Sequence, residues 1–454
     1  MRNPMFVYDE QLTDLIFDYC RWRLSLDPVP LDYGGALTES LAARLDGLIT
    51  AAGTDPVAVM EVFDKTLASA AVSVDSPKFL AFIPAAPTKA ALLFDMVVSC
   101  SSLQGTSWIE AAGPVAAENQ ALGVLADLAG MPEGAGGCFV AGGSAGNLSG
   151  LMVGRDTARH RMGDDTPEHP VVAISEEAHS SVGKALHVLG IEPLLVPCVD
   201  HRLTGRGLRD ALATHPRAGD VIAVVATGGT TNAGIIDDLE GEADDAEERR
   251  LWFHVDGAYG CAALFAPSIR ERFRGIDRVD SFVVDPHKWL FAPFDCAALL
   301  YREPRLAKAV HSQDASYLEV LHKDTPEEWN PSDYAYHLTR RARGMPLWFS
   351  LAVNGTDAYR DAIETVLATT QATAELVESL PHLELVRRPE LSVVLFRRTG
   401  WVKADYEAWS DHLLDEQTGF VMHTTWEGEA VGRLALLHPD TSIELIADLL
   451  ASTA

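Results

Sequence analysis

Seven short runs in the middle of the chain, 138–140, 171–174, 194–196, 220–226, 252–255, 281–284 and 297–301, are almost continuously apolar, and helical stretches separate most of them. Runs of this length without polar alternation read as strands covered on both faces. Their alternation with helices predicts an α/β fold with a mainly parallel sheet between helical layers. Ligands of such open sheets gather at the carboxyl ends of the strands, and Ser144, His179, Thr231, Asp256 and Lys288 all fall there.

The remaining sequence reads as flanking segments. Helical spacing over 9–26 and 38–74 predicts an N-terminal helical arm, residues 1–87. A large domain over 88–346 follows, opening with helices at 88–103 and from Gly113-Pro114 to about 130, and ending in long loops over 308–343. Residues 347–454 read as a small C-terminal α/β domain, with helices at 347–380, 403–415 and 441–452 and strands at 391–396, 419–422 and 433–437. The 454 residues, 47% of them hydrophobic, suffice for such a core. A net charge of −29 argues against nucleic acid as a partner. The six cysteines are scattered without a CxxC pair or zinc-type spacing, so no metal site is expected and a reducing cytoplasm is. No apolar run approaches the length of a membrane span or a signal peptide, so no membrane partner is expected.

Lys288, between His287 and Trp289, follows the run 281–284. An amine drawn out of water at a buried strand end is activated for Schiff-base formation with an aldehyde cofactor. Taken alone, it reads equally well as a lysine whose stem packs while its ammonium reaches water. A second strand end, His254-Val-Asp256-Gly-Ala258, adds a carboxylate followed by small residues that let a flat ring approach the backbone. A carboxylate there can pair with the pyridinium nitrogen of pyridoxal 5'-phosphate (PLP). The turn Gly142-Gly-Ser-Ala-Gly-Asn147 lies between a strand and a helix, where N–H groups and the helix end favour a phosphate, although most such turns are merely tight. It has neither the lysine of a Walker loop nor dinucleotide-type glycine spacing.

With Ala178-His-Ser-Ser-Val, Gly229-Thr-Thr, His254-Val-Asp-Gly-Ala-Tyr, Asp285-Pro-His-Lys-Trp-Leu and Phe294-Asp-Cys in this order, the chain resembles the group II PLP-dependent amino-acid decarboxylases, the family of aromatic-L-amino-acid decarboxylase, over nearly its whole length. The resemblance implies the PLP-dependent transferase fold type I and a homodimer with its site at the subunit interface. It implies that Lys288 carries the cofactor, that Asp256 pairs with the pyridine nitrogen, and that Ala258 lies against the ring. His179 stacks on the ring in the same reading, Gly143 and Ser144 cradle the phosphate, and Thr231, Asp285 and His287 complete the surroundings.

The implied reaction is decarboxylation of an L-amino acid, with Cα reprotonated by a loop tyrosine, for which Tyr317 stands at the matching position. Oxygen-dependent conversion to an aldehyde, or β-elimination, is the alternative outcome. Arg343 and Arg433 match family arginines and are expected to hold structure through ion pairs. The family usually carries asparagine where this chain has Asp285. The substrate pocket corresponds to Phe82, Ile83, Gln104 and Thr106, the last two reaching across from a partner subunit. Gln104 and Thr106 replace apolar residues, which suggests a substrate side chain that forms hydrogen bonds.

Overall fold

The computed structural model describes residues 3–31, 38–83, 86–313 and 328–454. Three helices open the chain, α1 (Glu10–Leu24), α2 (Thr38–Leu45) and α3 (Pro56–Val62). The single helical segment expected over 38–74 is broken, because Asp55-Pro56 restarts the helix with a proline in its first turn, where the missing N–H costs nothing. Helix α4 (Lys89–Cys100) is capped by the Thr88 hydroxyl. Helix α5 (Trp108–Leu128) begins five residues before the expected Gly113 and tolerates Pro114 through a break in helical geometry at Ala111.

The central sheet contains β1 (Gly136–Val140), β2 (Val171–Ser175), β3 (Glu192–Val196), β4 (Val221–Thr227), β5 (Trp252–Asp256), β6 (Ser281–Val284) and β7 (Ala297–Tyr301). Its order is β1-β7-β6-β5-β4-β2-β3, parallel from β6 through β3, with β7 antiparallel to both its neighbours. All seven apolar runs are therefore strands of one mainly parallel sheet. Crossovers run through α6 (Gly143–Met162), α7 (Ser180–Leu189), α8 (Gly205–Thr214) and α9 (Leu239–Arg249). A one-turn helix, α10 (Pro286–Trp289), follows β6, and α11 (Pro304–His311) follows β7. Helix α11 lies partly inside the stretch expected to be loop.

Helix α6 packs along one face of β4 to β7, while α5 and α9 cover the other. Alternation along each strand divides the core accordingly: Phe253 and Val255 face one layer, Trp252, His254 and Asp256 the other. Small residues set how close α6 lies. A Cβ on Gly150 would stand 3.0 Å from the His254 ring, and one on Gly154 would stand 2.7 Å from Trp252. The helix can rest on these bulky side chains only because those two positions lack a side chain.

Beyond the long helix α12 (Met345–Ser379), broken at Gly355, a four-stranded antiparallel sheet forms in the order β10-β11-β9-β8. Its strands are β8 (Leu383–Leu385), β9 (Val393–Arg398), β10 (Met422–Trp426) and β11 (Glu429–Ala435), with α13 (Lys403–Asp415) and α14 (Ile443–Ala451) packed beside it. Sequence reading missed β8 and placed β10 too early. Residues 419–421 pair elsewhere: Phe420 donates to the Lys78 carbonyl and Leu80 donates back to Phe420. This short parallel contact ties the N-terminal segment to the C-terminal sheet. No described helix is long and apolar enough to cross a membrane.

Candidate active site

At the carboxyl ends of the parallel strands lies a cavity of about 220 Å³. Its walls include Gly143, Ser144, His179, Thr231, Asp256, Ala258, Asp285, His287 and Lys288, so nine residues singled out in the sequence meet in one space. Asn147, Ser181, Thr227 and Tyr259 join them.

Asp256 ends β5, is 6% exposed, and has both oxygens engaged. Oδ1 accepts from the Ala258 N–H at 3.1 Å and Oδ2 from Asn147 Nδ2 at 2.9 Å. Asn147 is positioned in turn: its Oδ1 lies 2.9 Å from His254 Nε2, and its amide also donates to Ser181 Oγ at 3.0 Å. His254 Nδ1 lies 2.7 Å from Ser281 Oγ, which accepts from Trp252 Nε1 at 3.0 Å. Burial pushes the His254 imidazole down to about 4, so the ring is neutral. Because the Ser281 hydroxyl can then donate to Nδ1, the proton of His254 sits on Nε2 and points at Asn147. Ser181 extends the network to His179, whose Nδ1 accepts from the Ser181 N–H at 3.2 Å and lies 2.8 Å from Ser181 Oγ. The His179 side chain thereby caps α7.

Asp285 follows β6 and is 1% exposed. Its Oδ2 accepts from the Gly143 N–H at 3.1 Å and pairs with Lys288 Nζ at 3.0 Å, while the buried Oδ1 has no hydrogen-bond partner among the described residues. The Lys288 side chain keeps 25% exposure and lies on the first turn after β6, so its amine is half-buried. His287 accepts from the Cys296 N–H through Nδ1 at 3.0 Å, and burial lowers its pKa. Arg433 donates to the carbonyls of Thr231, at 2.7 Å, and of Asn232, at 3.1 Å, fixing the Thr231 turn against β11. The ion pair expected of Arg433 is absent among the described residues; burial lowers this guanidinium to about 10. Arg343 does form an ion pair, with Asp295.

The four substrate-pocket candidates do not line this cavity. Phe82 is 58% exposed beside Phe79 and Phe420, and Ile83 packs on the main core. Gln104 donates to Glu110 at 2.8 Å, and the Thr106 hydroxyl accepts from the Arg340 N–H at 3.3 Å. Both side chains find a partner within the chain, so neither by itself demands a hydrogen-bonding substrate. Tyr317 lies outside the described residues. The parts played by Asn147, Ser181 and His254 are not evident in the sequence, although all three stand inside quoted motifs; period-two alternation puts His254 on the face of Asp256.

The walls fit PLP. A Cβ on Gly143 would come within 2.9 Å of Ala258 and about 3.1 Å of Asp285, so the cradle exists only with glycine there. An amine stands on the same cavity as a fixed carboxylate, and a helix N-terminus opens onto it.

The profile of the pyridoxal-dependent decarboxylase conserved domain matches residues 44–399. An aromatic-L-amino-acid decarboxylase of Bacillus atrophaeus is 29% identical, over 96% of this chain and 91% of its own length. An L-2,4-diaminobutyrate decarboxylase of Rhizobium meliloti (strain 1021) is also 29% identical, over 100% of this chain and 91% of its own. The crystal structure of Oryza sativa TDC with PLP and tryptamine superposes with a TM-score of 0.91 at 24% identity, covering 100% and 98% of the two chains. The chain belongs to the pyridoxal-dependent decarboxylase family, with PLP as its cofactor.

Proposed function

We propose that this cavity decarboxylates an L-amino acid, with Lys288 as the residue that carries PLP. The observation carrying this reading is the convergence of Lys288, Asp256 and the Gly143-Ser144 turn on one space. Bound there, PLP supplies an electron sink for the pair released when the carboxylate leaves Cα. Asp256, held by two donors, keeps a negative charge where a pyridinium proton needs it. Ser144, at the start of α6, would hold the phosphate through its amide, and Gly143, whose N–H is taken by Asp285, would leave it room. His179, fixed by Ser181, covers one face of the ring, and Ala258 leaves room on the other. The Lys288 amine rests on Asp285 and accepts or releases protons beside Cα. In this reading Tyr317 delivers the proton to Cα.

Phe82 and Ile83 border the substrate pocket in this reading, and Gln104 and Thr106 complete the pocket of a second copy. Supporting a homodimer, α1 has no buried residue although Leu12, Ile16, Phe17 and Trp22 are exposed on it, and Met5, Phe6 and Tyr8 precede it exposed. The cysteines are all free, in keeping with a cytoplasmic setting.

The test is incubation of the PLP-loaded chain with tryptophan, tyrosine, 2,4-diaminobutyrate and other L-amino acids, reading CO₂, amine, ammonia and peroxide. Stoichiometric CO₂ and amine support the proposal. Ammonia and peroxide with an aldehyde, or no CO₂ from any member, would overturn it. Sedimentation at the dimer mass tests the assembly, and a monomer that retains full activity refutes it.

A further inference from the structure

At the opposite end of the same strands lies a second cavity of about 400 Å³, large enough for a small organic molecule. It opens between the C-terminal halves of α6 and α9 and the starts of β5 and β6. In a chain of net charge −29 its lining is basic: Arg161, Arg250, Arg278 and Arg302 against Glu247 and Asp280. Both carboxylates are already engaged. Glu247 pairs with Arg278 at 2.5 Å, and Asp280 accepts from the Phe253 N–H at 2.7 Å. The other three arginines form no ion pair among the described residues, although Arg302 and Arg161 lie near enough to Asp280 to favour its charged form. Arg161 donates to the Arg250 carbonyl, Arg302 to those of Val279 and Asp277, and the Arg250 guanidinium has no hydrogen-bond or ion-pair partner among the described residues.

Arg250 also occupies a costly backbone position. It ends α9 at φ 58°, ψ 40°, the left-handed conformation that glycine adopts without strain. An arginine kept there presents a guanidinium at the rim at a conformational cost. The rest of the wall is apolar, built from Ala158, Ile222, Ala246, Leu251 and the buried Trp252. A guanidinium rim over such a floor matches an anionic head on an apolar body.

Trp252 links the two cavities. Its indole begins the buried path Trp252–Ser281–His254–Asn147–Asp256, in which every donor points toward the carboxylate. The path spans the length of β5, roughly 13 Å at the rise of a strand.

We propose that this arginine-rimmed cavity is a binding site for a small organic anion, a carboxylate or phosphate on an apolar or aromatic body, and that its occupancy is felt at Asp256 through Trp252. The site stands apart from the proposed decarboxylation, but its optical readout rests on the assignment of Asp256 to the cofactor.

The experiment titrates full-length PLP-loaded enzyme by calorimetry with phenyl phosphate, 3-phenylpropionate, inorganic phosphate and phenethylamine, while recording the cofactor absorption band. Saturable binding of the aryl anions, at least tenfold weaker in Arg250→Gln and Arg161→Gln variants that melt like the parent, is expected. Phenethylamine should not bind there. Tighter binding of phenyl phosphate than of phenylpropionate would identify a phosphate head, and the reverse order a carboxylate; both support the site. Anion binding should shift the cofactor band, and Trp252→Phe, which removes the indole donor along with part of the ring, should abolish the shift while anions still bind. Absence of saturable binding, equal affinity in the arginine variants, or binding that leaves the band unmoved would overturn the proposal. The calorimetric arm does not depend on the cofactor, so its failure is distinguishable from failure of the decarboxylase reading.

Discussion

Asp256 and Asp285 stand at the carboxyl ends of neighbouring strands, both buried and both on one cavity, yet their surroundings differ. At the end of β5, each Asp256 oxygen has its own donor, the Ala258 N–H and an Asn147 amide that is braced by His254 and, behind it, Ser281. At the end of β6, one oxygen of Asp285 serves both Gly143 and Lys288 while the other has no hydrogen-bond partner among the described residues. A carboxylate whose donors are immobile suits a charge that must persist through every turnover. One that shares an oxygen with a mobile ammonium suits an exchange of partners. The adjacent strand ends therefore divide the work, one holding electrostatics fixed and the other accommodating a change of protonation and position.

Substitutions can break this division, in descending order of effect. Replacing Lys288 by alanine removes the group that carries the cofactor and moves protons, and should lower kcat by about 10⁴-fold, the upper range for loss of a proton-transferring residue. Asp256→Asn keeps the shape and removes the charge, and should cost about 10² to 10³ in kcat, as losing a preorganised electrostatic contact does elsewhere. Asn147→Leu strips Asp256 of one donor and leaves His254 Nε2 without its acceptor, so urea unfolding should show a loss of about 1–3 kcal/mol for the stranded polar groups. Asp285→Asn removes an ion pair whose lysine is partly exposed, worth about 1 kcal/mol, so kcat should fall only about fivefold. Equal losses in Asp256→Asn and Asp285→Asn would erase the contrast.

Glu242 extends the comparison to a carboxylate with no hydrogen-bond partner on either oxygen among the described residues. Burial, with Asp237 beside it, raises its pKa well above the usual carboxylate range. The folded chain therefore holds a proton there that the unfolded chain releases above its ordinary carboxylate pKa. Stability from this residue is full below that pKa and declines as pH rises toward the folded one. Glu242→Gln should accordingly raise Tm by a margin that widens from pH 5 to pH 8. A constant margin would mean that the carboxyl titrates normally.

Much of this was legible in the sequence because the chemistry sits where local pattern is strongest. The run 281–284 is a strand with the expected ends, and Lys288 follows it by one turn, so residue spacing carries directly into geometry. Asn147 and His254 are 107 positions apart, and only the packing of α6 on β5, permitted by glycine at 150 and 154, brings them together. Pairing of 78–80 with Phe420 is equally non-local, which is why the strand expected over 419–422 was displaced. Gln104 reads in the sequence as an unmet hydrogen-bonding group, but Glu110, in the first turn of α5, accepts from it.

The most direct measurement is reduction of the PLP-loaded chain with borohydride, followed by proteolysis and mass spectrometry. A phosphopyridoxyl group on the peptide containing Lys288, and its absence from the Asp256→Asn protein's spectrum only in proportion to lost cofactor, is the predicted result. Label on a different lysine, or a fully loaded chain that takes up none, would contradict the assignment of this cavity.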